Sequence, residues 1–286
     1  MSNFIAIDWG SSNIRAYLIV NGECVDKRVE KRGLLYSHNF EDVFNSLVSS
    51  WGKEPVLISG MLGSANGWRE TKYVSSLEEI PHNLLDISDL IHRPGWIIPG
   101  LQYYHTFQDV MRGEETQLVG VDWNGLVILP GTHSKWVWMH RDKLLQFHTQ
   151  MTGELFALLR ERGLIGALIQ KDKQQSSFSM QDFRSGVLES QGMGSLLHKL
   201  FAVRARGVHG NTNGLSDYLS GLLIGFELSS QEVTKTILVI GNKALFSRYE
   251  CALSIIHPQV SVFFEDEEEA TLRGMRKIWE RKNEQH

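Results

Sequence analysis

The sequence predicts an α/β protein in which one strand-rich plan is used twice. Three observations carry that reading. The chain opens on two apolar runs joined by a polar tip, IAIDWGSSNIRAYLI, from Ile5 to Ile19. A helix-period stripe and further short apolar runs follow. A second segment of the first pattern, LVILPGTHSKWVWM, starts at Leu126.

The elements follow in order. Phe4 to Ile7 and Arg15 to Val20 are rich in Ile, Val, Leu and Tyr and read as strands. Asn21-Gly22 is a two-residue hairpin signal, so Glu23 to Val29 returns as a third antiparallel strand. Phe40, Val43, Phe44, Leu47, Val48 and Trp51 then fall on one helical stripe. Pro55 to Ser59 and Gly95 to Pro99 are short buried strands. Three antiparallel strands followed by a helix and parallel-type strands describe a domain of the ribonuclease-H-like kind. Placing Gly131 on Gly10 sets Leu126, Val127 and Ile128 on Ile5, Ala6 and Ile7, and Thr132, His133 and Ser134 on Ser11, Ser12 and Asn13. The second pattern also turns, at Arg141-Asp142-Lys143, into a third strand, Leu144 to Thr149. Thr236 to Ile240 is a further buried strand that ends at Gly241-Asn242, with a helix from Ala244.

Composition bounds what such a chain can do. At 286 residues it can bury one large or two medium cores, and 42% hydrophobic with 22% charged residues is an ordinary globular balance. A net charge of −4 gives no broad attraction to nucleic acid or anionic lipid. Neither a signal peptide nor a membrane-spanning run is expected. Two cysteines far apart, Cys24 and Cys251, fit buried thiols in a reducing cytoplasm rather than a disulfide framework.

The two tips differ in one respect: Asp8 corresponds to Leu129. Both keep glycine and hydroxyl residues, so two such turns can hold a polyphosphate with backbone and hydroxyl donors. One carboxylate there suits Mg²⁺, which keeps most of its waters and takes one or two carboxylates. The plainer alternative is that Asp8 caps its own turn.

These residues resemble the acetate and sugar kinase, heat-shock protein and actin superfamily, through Ile7-Asp8-Trp9-Gly10-Ser11-Ser12-Asn13 and Pro130-Gly131-Thr132-His133. More narrowly, the chain resembles the bacterial 2-keto-3-deoxygalactonate kinases. The matching segments are IAIDWGSSNIRAYL, GMLGSANGW, WIIPGL, VMRGEETQLVG, LPGTHSKWV, MTGELFALL and YLSGLLIGFEL. The resemblance implies two ribonuclease-H-like domains with ATP in the cleft between them. It places them at 1–113 and 114–286, with an insertion at about 140–214. It implies ATP and Mg²⁺ as cofactors, a small sugar acid as substrate and phosphoryl transfer to its C6 hydroxyl. No nucleic-acid or membrane partner is implied, and a homodimer is left open.

The resemblance also distributes roles. Asp8 would hold Mg²⁺ through water. Gly10, Ser11, Ser12 and Asn13 of the first turn and Gly131, Thr132 and His133 of the second would bind phosphates. Arg15 and Lys135 are candidate cations beside them, with an orientation to solvent as the alternative for each. Glu114 follows Gly113 where related kinases carry the aspartate that takes the hydroxyl proton; the longer side chain is a departure. The alternative for Glu114 and Glu115 is to complement a helix N-terminus. Met61, Gly63, Ser64, Asn66 and Trp68 form a turn-rich loop placed to meet the sugar acid, against an ordinary connection carrying a core tryptophan. Arg112 would meet the carboxylate, with Arg69 expected toward solvent. Thr152 reads as the N-cap of a helix on which Glu154 faces substrate or merely occupies the first turn. Gly241 and Asn242 would let adenosine approach the backbone.

Other features read as structural. Gly221 and Gly225 suit close helix packing better than nucleotide contact. The acidic run Glu265 to Glu269 opens a last helix that becomes basic toward its end. Gln170 to Gln181 reads as a polar loop. Two rivals stand beside the leading reading: a kinase of another sugar or sugar acid, and a non-catalytic ATP-binding regulator.

Overall fold

The computed structural model describes residues 3–31, 33–34, 39–104, 106–170, 177–210 and 212–284. The first hairpin forms where its two apolar runs and polar tip predict it. Strands β1 (Phe4–Trp9), β2 (Ile14–Val20) and β3 (Glu23–Glu30) make an antiparallel meander. Its second turn, Asn21-Gly22, holds both residues at positive φ, as a two-residue hairpin of this type requires. Helix α1 (Phe40–Val48) begins at Asn39, whose side chain accepts from the Asp42 N–H, and buries Val43, Phe44, Leu47 and Val48. Strand β4 (Val56–Gly60) lies parallel to β1, one residue later than Pro55 to Ser59 because Pro55 has no N–H to give a ladder.

Short elements follow: β5 (Tyr73–Val74), β6 (Leu85–Asp86), α2 (Ser88–Ile91), β7 (Gly95–Ile97), β8 (Gly100–Tyr104), β9 (Gln108–Met111) and α3 (Glu114–Gly120). The main sheet runs β3-β2-β1-β4-β7-β6, and β5, β8 and β9 form a small separate sheet. One face of the main sheet packs on α1 through Ile5, Ile7, Trp9, Ile58 and Ile97.

The plan then returns. Strands β10 (Gly125–Leu129), β11 (Ser134–His140) and β12 (Lys143–Gln150) precede an inserted run of helices, α4 (Thr152–Glu161), α5 (Gly163–Ile169), α6 (Met180–Ser190) and α7 (Leu196–Val208). Helix α8 (Leu215–Ser229), β13 (Thr236–Gly241), α9 (Lys243–Ile256) and β14 (Ser261–Asp266) complete it. The sheet order β12-β11-β10-β13-β14 matches the first sheet's β3-β2-β1-β4-β7 strand for strand. The duplication expected from the turn alignment is therefore present in the topology. Gly221 and Gly225 bring α8 against α6: an added Cβ would meet the Phe183 carbonyl at 2.0 Å and the Ser190 hydroxyl at 2.3 Å. Packing is thus their role.

The last helix, α10 (Glu267–Asn283), lies on α3. Its Trp279 ring stacks on Phe4 at 4.9 Å. The chain accordingly divides into two discontinuous compact units. One contains Met1–Asn124, Trp138–His148 and Glu267–His286; the other contains Gly125–Val137 and Thr149–Asp266. This replaces the single boundary at 113/114, because α3 and α10 share one core. The insertion begins after Gln150 rather than at about 140, since β12 belongs to the duplicated plan. Glu265 and Asp266 sit in β14, so only Glu267, Glu268 and Glu269 form the first helical turn. Cys24 is exposed and Cys251 half-buried, and both are free thiols; the expectation of two buried thiols fails because β3 presents its residues to solvent. The polar loop lies partly outside the described residues at 171–176. No helix among the described residues is long and apolar enough to cross a membrane.

Candidate active site

In the first unit the site is built at the carboxyl ends of β1 and β4. Asp8 stands opposite Arg15 in the β1–β2 ladder and beside Ser59 of β4. The Arg15 Nη1 donates to Asp8 Oδ2 at 3.2 Å, and Nη2 to Glu267 Oε1 at 3.2 Å. Arg15 therefore faces carboxylates, not open solvent. Burial pushes the Asp8 carboxyl up to about 6, opposed by Arg15 and reinforced by Glu267 and Glu268. Its side chain keeps 21% exposure, enough to reach a ligand. The turn beyond it is closed by the Gly10 N–H donating to Asn13 O at 2.9 Å. Gly33 and Leu34 N–H groups bind the Ser12 and Gly10 carbonyls, leaving the side chains of Ser11, Ser12 and Asn13 exposed.

The loop after β4 is ordered by its own backbone. Ser64 N–H donates to Met61 O at 3.0 Å, and Trp68 N–H to Leu62 O at 2.9 Å. Leu62 and Gly63 are buried, Met61 is half-buried and Asn66 is exposed. The Ser64 hydroxyl is buried without a partner. Trp68 packs against Phe40 and Phe44, so its ring belongs to the α1 core. Arg69 pairs with Asp89 at the surface, as expected.

Arg112 approaches this loop from the end of β9. Its Nη1 donates to Thr71 Oγ1 at 2.5 Å, its guanidinium lies 4.6 Å from the Tyr73 ring centre, and its Nε has no partner. A Cβ on Gly63 would sit 2.8 Å from Arg112 Nη1, so Gly63 leaves room for the guanidinium. The acidic pair then separates. Gly113, at φ +105°, turns the chain into α3 beside Gly60. Glu114 stays half-buried and accepts from the Arg112 N–H at 3.1 Å. Glu115 is 0% exposed; its Oε2 accepts from the Gly113 N–H at 2.6 Å and its Oε1 from Thr116. Burial and the neighbouring Glu114 push Glu115 up to about 8.

In the second unit, Gly131, Thr132 and His133 are exposed at the β10–β11 turn. Helix α4 begins against it. A Cβ on Gly153 would lie 2.2 Å from the Gly131 carbonyl oxygen, and the Glu154 N–H donates to Thr132 O at 2.8 Å. His133 Nε2 meets Glu154 Oε2 at 2.5 Å, which ties Glu154 to the turn. Thr152 is not the N-cap: it is the first helical residue after Met151, and its hydroxyl donates to Glu227. Lys135 is buried within β11, so it is not the alternative solvent-facing lysine. Asn242 caps α9, accepting from the Leu245 N–H at 3.0 Å, which starts that helix at Lys243 instead of Ala244. A Cβ on Gly241 would lie 3.7 Å from Pro130, placing the β13–α9 turn beside the β10–β11 turn. A cavity of about 50 Å³ opens there, lined by Pro130, Gly131, Thr152, Gly153, Leu245 and Tyr249.

Sequence reasoning missed Glu227, the acid at the centre of this unit. The signal was present: one carboxylate inside the apolar run of α8. Thr71 and Tyr73, which hold Arg112, carried no comparable signal.

The chain is similar to known proteins along most of its length. The 2-dehydro-3-deoxygalactonokinase of Escherichia coli (strain K12) is 36% identical over 268 residues, covering 88% of this chain and 89% of that protein. A Sinorhizobium meliloti crystal structure, provisionally named a 2-dehydro-3-deoxygalactonokinase, superposes with a TM-score of 0.89 at 28% identity over 97% of this chain and 96% of that one. The Clostridium difficile activator of 2-hydroxyisocaproyl-CoA dehydratase, solved with ADPNP, shares the fold at a TM-score of 0.51 and 13% identity, covering 99% of this chain and 96% of that one. A family profile described as 2-keto-3-deoxy-galactonokinase matches residues 8–278, and the chain belongs to that family.

Proposed function

We propose that this chain phosphorylates 2-keto-3-deoxy-D-galactonate at its 6-hydroxyl with ATP, as a carbohydrate kinase of galactonate breakdown. The observation that carries the reading is the convergence in one unit of Asp8, Glu114, Arg112 and the Gly60–Gly63 turn around the ends of β1 and β4. Members of the family act on a sugar acid, so the site needs a cation, a hydroxyl-orienting carboxylate and a place for metal-bound phosphate.

Arg112 meets the substrate carboxylate. Its unpartnered Nε supports that role, because a buried donor without a partner is costly until a ligand supplies one. Ser64, with an unpartnered buried hydroxyl, and Asn66 take sugar hydroxyls. Glu114 orients the 6-hydroxyl and takes its proton; Glu115 is shut into the core and unable to reach it. Asp8 fits Mg²⁺ as a single hard-oxygen ligand at a partly exposed strand end, with the remaining positions left to water and phosphate. When bound, Mg²⁺ neutralises charge on the transferring phosphoryl group. The turns at Gly10–Asn13 and Gly131–His133 supply phosphate donors, and Gly241-Asn242 the adenosine side. The protein would work in the cytoplasm, where its nucleotide is made.

ADP release measured with Mg-ATP and a panel of sugars, sugar acids and 2-keto-3-deoxy acids tests the proposal. Turnover should depend on 2-keto-3-deoxygalactonate, and Glu114→Gln should lower kcat by roughly 10²-fold or more. Equal turnover with unrelated sugars, or none with any 2-keto-3-deoxy acid, refutes the substrate assignment.

A further inference from the structure

Glu227 is 3% exposed in the last turn of α8, yet it carries a carboxylate among buried neighbours that are mostly Leu, Ile and Gly. An apolar residue of similar size would pack there at lower cost, since desolvating a carboxylate is expensive. The acid is fully occupied. Oε1 accepts from Trp136 Nε1 at 2.8 Å and from the Tyr249 hydroxyl at 3.1 Å. Oε2 accepts from the same hydroxyl at 3.0 Å and from the Thr152 hydroxyl. Tyr249 is also bonded to Ser134 at 3.1 Å.

The partners are not scattered. Ser134 and Trp136 belong to β11, directly after the second phosphate turn. Thr152 opens α4, whose next residue, Gly153, packs on the Gly131 carbonyl. Tyr249 is on α9, the helix capped by Asn242. One buried carboxylate therefore joins β11 to α4 and α9, and the latter two line the cavity beside Gly131. A network in which every member is satisfied fixes one arrangement of its parts.

We propose that Glu227 is a positioning residue for the nucleotide: it holds β11, α4 and α9 in the one arrangement that aims the second turn at the polyphosphate. This rests on reading that turn as the nucleotide side of the site. Glu227 touches no ligand itself. Its effect passes through Thr152, Tyr249 and Trp136 to the backbone around Gly131 and Thr132. Gln in its place would set an N–H₂ group against donors that need an acceptor, and so loosen the elements without emptying the space.

The test is steady-state kinetics on full-length Glu227→Gln, Tyr249→Phe and Thr152→Val, with ATP and 2-keto-3-deoxygalactonate varied separately. Glu227→Gln should raise the KM for ATP by roughly 10-fold or more and leave that for the sugar acid within about 2-fold. Tyr249→Phe and Thr152→Val each remove one donor and should move the ATP KM the same way by less; they keep the test open should Glu227→Gln fail to fold. The melting-temperature rise produced by ADP should shrink in parallel. Folded variants that melt earlier but keep the wild-type ATP KM would overturn the proposal, because a merely stabilising residue behaves so. His133→Ala separates the premises. If it raises the ATP KM while the network variants do not, the positioning role is wrong. If neither does, the nucleotide reading of the turn is wrong and the role falls with it.

Discussion

Glu115→Gln should stabilise the protein, and by an amount that grows with pH. Glu115 is fully buried, with its carboxyl raised from the ordinary 4.5 to about 8 by desolvation and by Glu114. Between those values the folded protein holds a proton that the unfolded chain has released. Stability from this group is therefore greatest below pH 4.5, falls as pH rises, and levels off above about 8. At about 1.4 kcal/mol per pH unit, the loss by pH 7 is roughly 3 kcal/mol, and the full loss is about 5 kcal/mol. Gln keeps the shape, an acceptor for the Gly113 N–H and a donor for Thr116 Oγ1, which can turn its own hydrogen toward Ser59, 2.7 Å away. Urea unfolding of both proteins at pH 5, 7 and 9 isolates the effect as a difference, free of the other titrating groups. The gap in favour of Glu115→Gln should widen by roughly 4 kcal/mol from pH 5 to pH 9. Parallel stability curves would refute the reasoning, because they would mean that Glu115 is ionised in the folded protein.

Further outcomes follow from the same geometry. Asp8→Asn should cut kcat by roughly 10²–10³-fold and raise the Mg²⁺ concentration needed for half-maximal rate, both read from ADP release. Arg112→Ala should raise the KM for the sugar acid by roughly 10- to 100-fold, the value of a hydrogen bond to a charged group, with the ATP KM little changed. Gly153→Ala should lower thermal stability by about 1–3 kcal/mol, since its Cβ would fall 2.2 Å from the Gly131 carbonyl and α4 must move away; a variant with an unchanged melting temperature would contradict that contact.

The legible parts of this chain were those whose causes are local. The apolar runs on either side of the polar tip at Asp8, the Asn21-Gly22 turn and the stripe from Phe40 to Leu47 each depend on neighbours within a few residues, and each formed as read. The second hairpin could be found because the same local pattern recurs. The illegible parts depend on distant partners. Glu154 reads equally as facing substrate or as occupying the first helical turn, and its pairing with His133, on another element, leaves no trace in the local pattern. Thr152 fitted the N-cap preference, but Glu227 took its hydroxyl from 75 residues away. Trp68 looked like a sugar platform, and only the placement of Phe40 and Phe44 shows it joining the core. Glu114 and Glu115 are the same residue type side by side. Only the pitch of α3 sends one to the core and leaves the other at the surface.

The packing of α10 on α3 bears on how the protein is made. Thr116 and Gly120 lie so close to α10 that a Cβ on Gly274 would fall 1.8 Å from the Thr116 carbonyl. The ribosome reaches Gly274 only after completing every strand and helix of the other unit. The nascent N-terminal segment must therefore wait with the α3 surface uncovered, exposing apolar side chains to holdases, while the intervening unit can fold and leave the exit tunnel. The pairing of Arg15, beside Asp8, with Glu267 likewise forms only after synthesis has passed through the other unit and reached the start of α10.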